Sequence, residues 1–94
     1  MFDIKYEGLH IEVTLSAARE LLKEKLDLND VSEILEKGYN CERSKRKKNI
    51  IERCIDRRGK TIKVVVVKTV SRYPDGFSEE AWRLIHVGRF TIRK

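Results

Sequence analysis

Thr61-Ile62-Lys63-Val64-Val65-Val66-Val67-Lys68-Thr69-Val70 is the stretch on which the reading of the fold turns. It is β-branched almost throughout, and its run of valines gives it apolar side chains on both faces of an extended chain. A strand covered on one face alternates apolar and polar residues; one apolar on both faces belongs in the middle of a sheet. Immediately upstream, Arg58-Gly59 has the chemistry of a tight hairpin turn, so residues 50–57 are predicted as an antiparallel partner. Downstream, Tyr73-Pro74-Asp75-Gly76 is a strong turn signal. Residues 82–87 and 89–92 then form the last strand, with Gly88 at a bulge or bend. Residues 39–45 supply one more strand, joined to the next through the basic tip Arg46-Lys47-Lys48-Asn49.

The N-terminal third reads differently. Residues 2–6 and 10–13 alternate around Gly8 and predict one or two short strands in a hairpin. A helix follows, with Ser16 as its expected N-cap and Ala18, Leu21 and Leu22 on one face, ending near Leu26. A second helix starts at Asp27, whose carboxylate can accept from the free N–H groups of the first turn, flanked by Leu26 and Val31 at the positions of a hydrophobic staple. Leu28, Val31, Ile34 and Leu35 form its apolar stripe, and Gly38 is expected to end it in the left-handed conformation. The predicted fold class is therefore α+β: short N-terminal strand or strands, a two-helix hairpin, then an antiparallel meander of about four strands with the helices on one face.

With 94 residues the chain has room for one core, and it is read as a single domain spanning 1–94. Hydrophobic residues make up 40% and charged residues 38%, the latter mixed in sign. The longest apolar run, Val64–Val67, is far too short to cross a bilayer. The N-terminal residues do not have a basic flank leading into an apolar stretch, which gives a cytoplasmic expectation with no membrane partner. The Glu/Lys/Arg-rich composition resembles that of thermophile proteins.

The net charge of +6 is unevenly placed. Residues 1–37 hold five basic and nine acidic side chains, net −4, whereas residues 38–94 hold sixteen and six, net +10. A basic half on a small domain favours a polyanionic partner, of which nucleic acid is the commonest. Its densest part is Arg43, Lys45, Arg46, Lys47, Lys48, Arg53, Arg57, Arg58 and Lys60, set against Glu52 and Asp56. Cations at this density neutralise phosphates and release counterions without reading sequence; the competing reading is a solvated face that blocks edge aggregation. Arg43, Lys45, Arg53 and Arg57 are the expected clamp.

Tyr73 is the best candidate to stack a base, being in a loop, while Trp82 and Phe90 are expected in the core. His86 is the one residue of the basic half that exchanges protons near neutral pH. With arginines nearby it meets part of what metal-free ribonuclease chemistry needs, and the alternative is a satisfied strand histidine. Neither a metal site nor a cofactor is expected, since the histidines and cysteines lack ligand spacing and the glycines are isolated. Cys41 and Cys54 fall opposite each other in a hairpin centred on Lys47-Lys48, with Arg43 then facing Glu52. This reading favours two free, buried thiols and holds a cross-strand disulfide as the alternative.

Ala17-Ala18-Arg19 opening the first helix, Asp27-Leu28-Asn29-Asp30-Val31 with Ile34-Leu35-Glu36-Lys37-Gly38, and Gly59-Lys60-Thr61 running into the valines resemble the small domains of unknown function grouped with the RelE and BrnT toxins. The resemblance covers roughly residues 14–92. It departs where the family often has a histidine before the first-helix alanine, here Ser16, and in a long loop over residues 71–80. RelE-type toxins are RNA endonucleases that act on ribosome-bound message with basic and aromatic residues. The resemblance thus implies a RelE-like two-helix, curved-sheet fold, a basic concave face, RNA in preference to DNA as the nucleic acid, and an antitoxin-like partner. Arg19 is the position it carries over most directly. The alternative is a non-catalytic protein-interaction module that binds a partner or a second copy.

Overall fold

The computed structural model describes residues 4–41 and 49–91. Along the chain run β1 (Lys5–Tyr6), β2 (Leu9–Val13), α1 (Leu15–Glu24), α2 (Leu28–Lys37), β3 (Tyr39–Asn40), β4 (Ile50–Arg57), β5 (Lys60–Arg72) and β6 (Ser78–Thr91). The strands form one sheet in the order β1-β2-β6-β5-β4-β3. The α+β class holds and β5 is interior, as its valines require. The sheet is mixed, however, and not a purely antiparallel meander. β2 lies parallel to β6, with Ile11 opposite Trp82 and Val13 opposite Leu84. The N-terminal hairpin therefore closes the far side of β6 instead of standing apart, because Ile11 and Val13 gain burial there that an isolated two-stranded hairpin cannot give them.

The valine run behaves as its composition demands. Val64 and Val66 are fully buried with Ile62 in the main core, and Val65 is buried on the opposite face. Arg58 and Gly59 both adopt positive φ (51° and 75°), the conformation a two-residue primed turn needs. The bulge in β6 is at Ile85 and not at Gly88: Val65 pairs with His86 and Val66 with Leu84, leaving Ile85 unmatched. That extra residue lets Leu84 and Val87, three apart, both enter the core. Gly88 pairs regularly with Lys63. Its role is spatial, since a Cβ there would stand 3.2 Å from His86 Nε2 and 3.4 Å from Phe90 Cζ.

The helices begin where their caps dictate. The N-cap of α1 is Thr14, two residues before the expected Ser16. The Thr14 hydroxyl accepts from Ala17 N–H at 3.2 Å and donates to Leu84 C=O at 3.1 Å, so one side chain caps the helix and ties it to β6. The buried face of α1 is Ala17 and Leu21, one turn apart, and Leu22 is exposed. Asp27 caps α2 as expected, in a reciprocal box with Asp30 (2.9 Å in each direction). Gly38 ends α2 in extended backbone (φ −72°, ψ 171°), not the left-handed form. It must be glycine because a Cβ would lie 2.4 Å from Ile34 O and 2.7 Å from Cys54 O. The left-handed residue is Lys25, at the end of α1 (φ 57°). Val31, Ile34 and Leu35 pack with Leu21, Val64, Val66, Trp82 and Leu84 into the core.

Cys41 and Cys54 are joined in a disulfide, with Cα atoms 5.5 Å apart, rather than standing as two free thiols. The register also differs from the centred hairpin: Cys54 is opposite Tyr39 and Arg53 opposite Asn40, two residues out of step with the expected pairing. Arg43, and with it the expected Arg43–Glu52 pair, lies outside the described residues. A bridge across a 13-residue separation removes loop entropy from the unfolded chain, about 3 kcal/mol on the chain-entropy account. Reduction by a thiol reagent is accordingly expected to lower the unfolding free energy read from a urea titration by that amount, and a Cys41→Ser/Cys54→Ser variant to show no further change under the same reagent.

Beside the disulfide, the Tyr39 hydroxyl donates to Asp56 Oδ1 at 2.7 Å and the Thr61 hydroxyl at 2.9 Å, joining β3, β4 and β5. The hydrogen bond from Tyr39, and then that from Thr61, holds the Asp56 carboxyl below the usual carboxylate range. A lowered folded pKa means the contribution is complete above the unfolded value, about 4, and is lost as pH falls through the lower folded one. Asp56→Asn is expected to shallow the acid limb of a stability–pH profile below pH about 4 and leave the neutral region flat in slope.

Candidate nucleic-acid interface

A cleft of about 480 Å³ lies where the end of α1 meets the β4–β5 turn and the end of β6. Leu26 and Ile62 make its apolar floor. Lys23, Lys25, Arg57, Arg58, Lys60 and Arg89 surround it, with Glu24 as the one acid among its lining residues. Local backbone explains how the cations converge. Lys25 is turned out by its left-handed cap conformation, and Arg58 by the first position of the primed turn. Arg89 is fixed by Glu24, through a carboxylate contact at 2.9 Å and a bond from its NH2 to the Glu24 carbonyl at 3.0 Å. Arg57 reaches Glu33 at 3.3 Å and Asp30 at 4.0 Å on α2. Lys23, Lys25 and Arg58 have no ion-pair partner among the described residues.

A second, smaller hollow of about 240 Å³ shares Lys23, Glu24 and Arg89 with this cleft and extends it along β6 past Glu20, His86, Gly88 and Phe90. There His86 Nδ1 lies 3.0 Å from Glu20 Oε2, and the other Glu20 oxygen receives Val87 N–H at 3.4 Å. Glu20 thus satisfies a backbone donor at the strand's edge and orients the imidazole, leaving Nε2 toward the Gly88 backbone.

The residues singled out from sequence separate into distinct groups. His86 joins the cleft, and Arg58 lies in it with no ion-pair partner among the described residues. Arg57 lines it but is shared with α2. Arg53 is turned to a structural task, donating through its guanidinium to Asn40 Oδ1 across the β3–β4 pair. Arg43, Lys45, Arg46, Lys47 and Lys48 lie outside the described residues. Tyr73 is exposed, as expected, and donates to Glu79 Oε2 at 3.2 Å; that bond and the carboxylate's charge hold its phenol above the usual range. It sits beyond the start of β6, and His86 is eight residues past Ser78, about 26 Å at 3.3 Å per residue. The two nominated catalytic residues therefore do not share a site. Phe90, expected in the core, is half exposed at the mouth of the smaller hollow, whereas Trp82 is buried against Tyr6 and beneath the Lys68 ammonium.

Sequence reasoning missed Lys23, Lys25, Arg89 and Glu20. The first two belong to the segment with net −4, and that half-by-half count hid them. The usable signal was topological: a helix ending at Lys25-Leu26 and a turn at Arg58-Gly59 both abut the same end of the central strand. Among the described residues there is no cluster of three or more metal-ligating side chains and no helix long and apolar enough to cross a membrane. Compared with family models, curated proteins and solved structures, the chain matches none.

Proposed function

We propose that this protein is a toxin-like RNA-binding domain that holds the phosphates of a single strand along the cationic cleft, with His86 as its proton-transfer group. The observation that carries this reading is the convergence of six cations on one concave site continuous with the His86–Glu20 pair. Lys23, Lys25 and Arg58 are free to neutralise phosphates, and such contacts position the strand without reading its sequence. Phe90 supplies an exposed aromatic face for a base beside them.

In this arrangement His86 Nε2 accepts a ribose 2′-hydroxyl proton while Glu20 stabilises the imidazolium that forms. As the 2′-oxygen bonds to phosphorus, Lys23 and Arg89 offset the charge on the non-bridging oxygens; the P–O5′ bond then breaks, the departing 5′-oxygen takes a proton from water, and a 2′,3′-cyclic phosphate is left. Tyr73 takes no part in this chemistry. The sequence resemblance to RelE and BrnT toxins is what favours RNA as the ligand.

The test is binding to fluorescent single-stranded and structured RNAs across a salt series, with the RNA then examined on a gel. Steeply salt-dependent binding with cleavage lost in His86→Ala supports both parts. Binding without cleavage keeps the RNA reading and removes the chemistry. Absence of binding at low salt overturns the proposal in favour of a protein-interaction module.

A further inference from the structure

Among the described residues, β5 and β6 run on as a two-stranded arm after β4 stops. The last β4–β5 pair is Ile50 with Val67, and β5 continues to Arg72 before the chain turns into β6. An unsupported hairpin is marginal in water, yet this one carries apolar side chains into solvent: Val70 is 51% exposed, Tyr73 45% and Phe77 60%. Tyr73 and Phe77 rings stand 5.8 Å apart at the tip, and Asp75 fixes the turn by accepting from Phe77 N–H at 3.0 Å. Residues 72–80 carry one base, Arg72, against Asp75, Glu79 and Glu80, and Lys68 lies 3.8 Å from Glu80, which leaves one net negative charge. The tip is thus an aromatic knob with a net negative rim, poorly suited to a phosphate backbone.

At the other end of β5 is its complement, the cleft with an apolar floor of Leu26 and Ile62 and a cationic rim. β5 covers 13 residues, about 43 Å at 3.3 Å per residue, so the tip cannot reach the cleft of its own chain. A second copy turned by a two-fold axis across the middle of β5 places each tip at the other's cleft, two equivalent contacts from one operation.

We propose that the protein forms an antiparallel homodimer in which Phe77 of each copy seats on Leu26 and Ile62 of the other, while Glu79 and Glu80 meet Lys23, Lys25 and Arg58. The aromatic anchor in an apolar floor contributes the affinity, and the charged rim sets the register. The inference does not depend on the RNA reading; where both hold, tip and RNA exclude one another from the cleft.

Sedimentation of the full chain at low and high salt tests it. The wild type is expected at twice its 11.1 kDa mass at low salt and to dissociate as salt rises. Phe77→Ser should raise the dimer dissociation constant at least tenfold while leaving RNA binding as strong as the wild type's or stronger, which separates this inference from the previous one. Lys23→Glu/Lys25→Glu/Arg58→Glu and Glu79→Lys/Glu80→Lys should each be monomeric, with circular dichroism confirming the fold, and an equimolar mixture of the two should regain the dimer. A wild type that stays monomeric at low salt overturns the proposal. So does a dimer that tolerates either charge reversal, or a mixture that fails to associate.

Discussion

Lys23→Glu/Lys25→Glu/Arg58→Glu is expected to bind single-stranded RNA roughly 100-fold more weakly than the wild type at low salt, and with a shallower salt dependence. Each phosphate neutralised on a single strand contributes about 0.7 to the slope of log affinity against log salt. Losing three contacts should therefore flatten that slope by about 2. Arg57 and Arg89 already answer to Glu33, Asp30 and Glu24, so replacing either alone should do less than replacing Arg58, which has no such partner among the described residues. The readout that matters is the slope. A variant that binds weakly with an unchanged slope would have lost something other than phosphate contacts. Unchanged affinity would show that the cleft is not where RNA lies.

Leu84→Ala is expected to cost about 4 kcal/mol of folding stability, read from the urea midpoint with circular dichroism. Leu84 is fully buried at the junction of three constraints. It lies opposite Val13 in the parallel pair and opposite Val66 in the antiparallel one, and its carbonyl accepts both the backbone N–H and the hydroxyl of Thr14. Truncation leaves a cavity that β-paired strands on both sides cannot collapse to fill. A domain of this length holds roughly 5–14 kcal/mol in total, so the variant should be marginal at 37 °C. A loss below about 1 kcal/mol would mean that the site repacks freely and that the bulge at Ile85 is not rigid.

The His86–Glu20 pair shows how differently site and scaffold are encoded. Its two members are 66 residues apart. No spacing rule links a residue on the first helix to one on the last strand; they meet because Thr14 fastens the start of α1 to Leu84, two residues before His86. The cleft is similar, assembled from a helix C-cap, a hairpin turn and a strand end. By contrast, the charge run at 43–60 was fully visible as composition but did not predict destination. Of its described members, Arg53 and Arg57 spend their charge on Asn40 and on α2.

By itself the sequence determined the elements whose causes are local. The four valines specified an interior strand, Arg58-Gly59 and Tyr73-Pro74-Asp75-Gly76 its two hairpins, and Asp27 with Asp30 the start of α2. In each case the responsible residues lie within a few positions of one another, and the physics is steric or a single hydrogen bond. What only the tertiary structure decided was where those elements went and which neighbours they acquired. It set β2 parallel beside β6, put the bulge at Ile85 so that Leu84 and Val87 could both be buried, and shifted the α1 cap to Thr14. It also joined Cys41 to Cys54 in a register two residues from the local expectation. These outcomes depend on burial summed over residues distant in the chain, which no window of sequence contains.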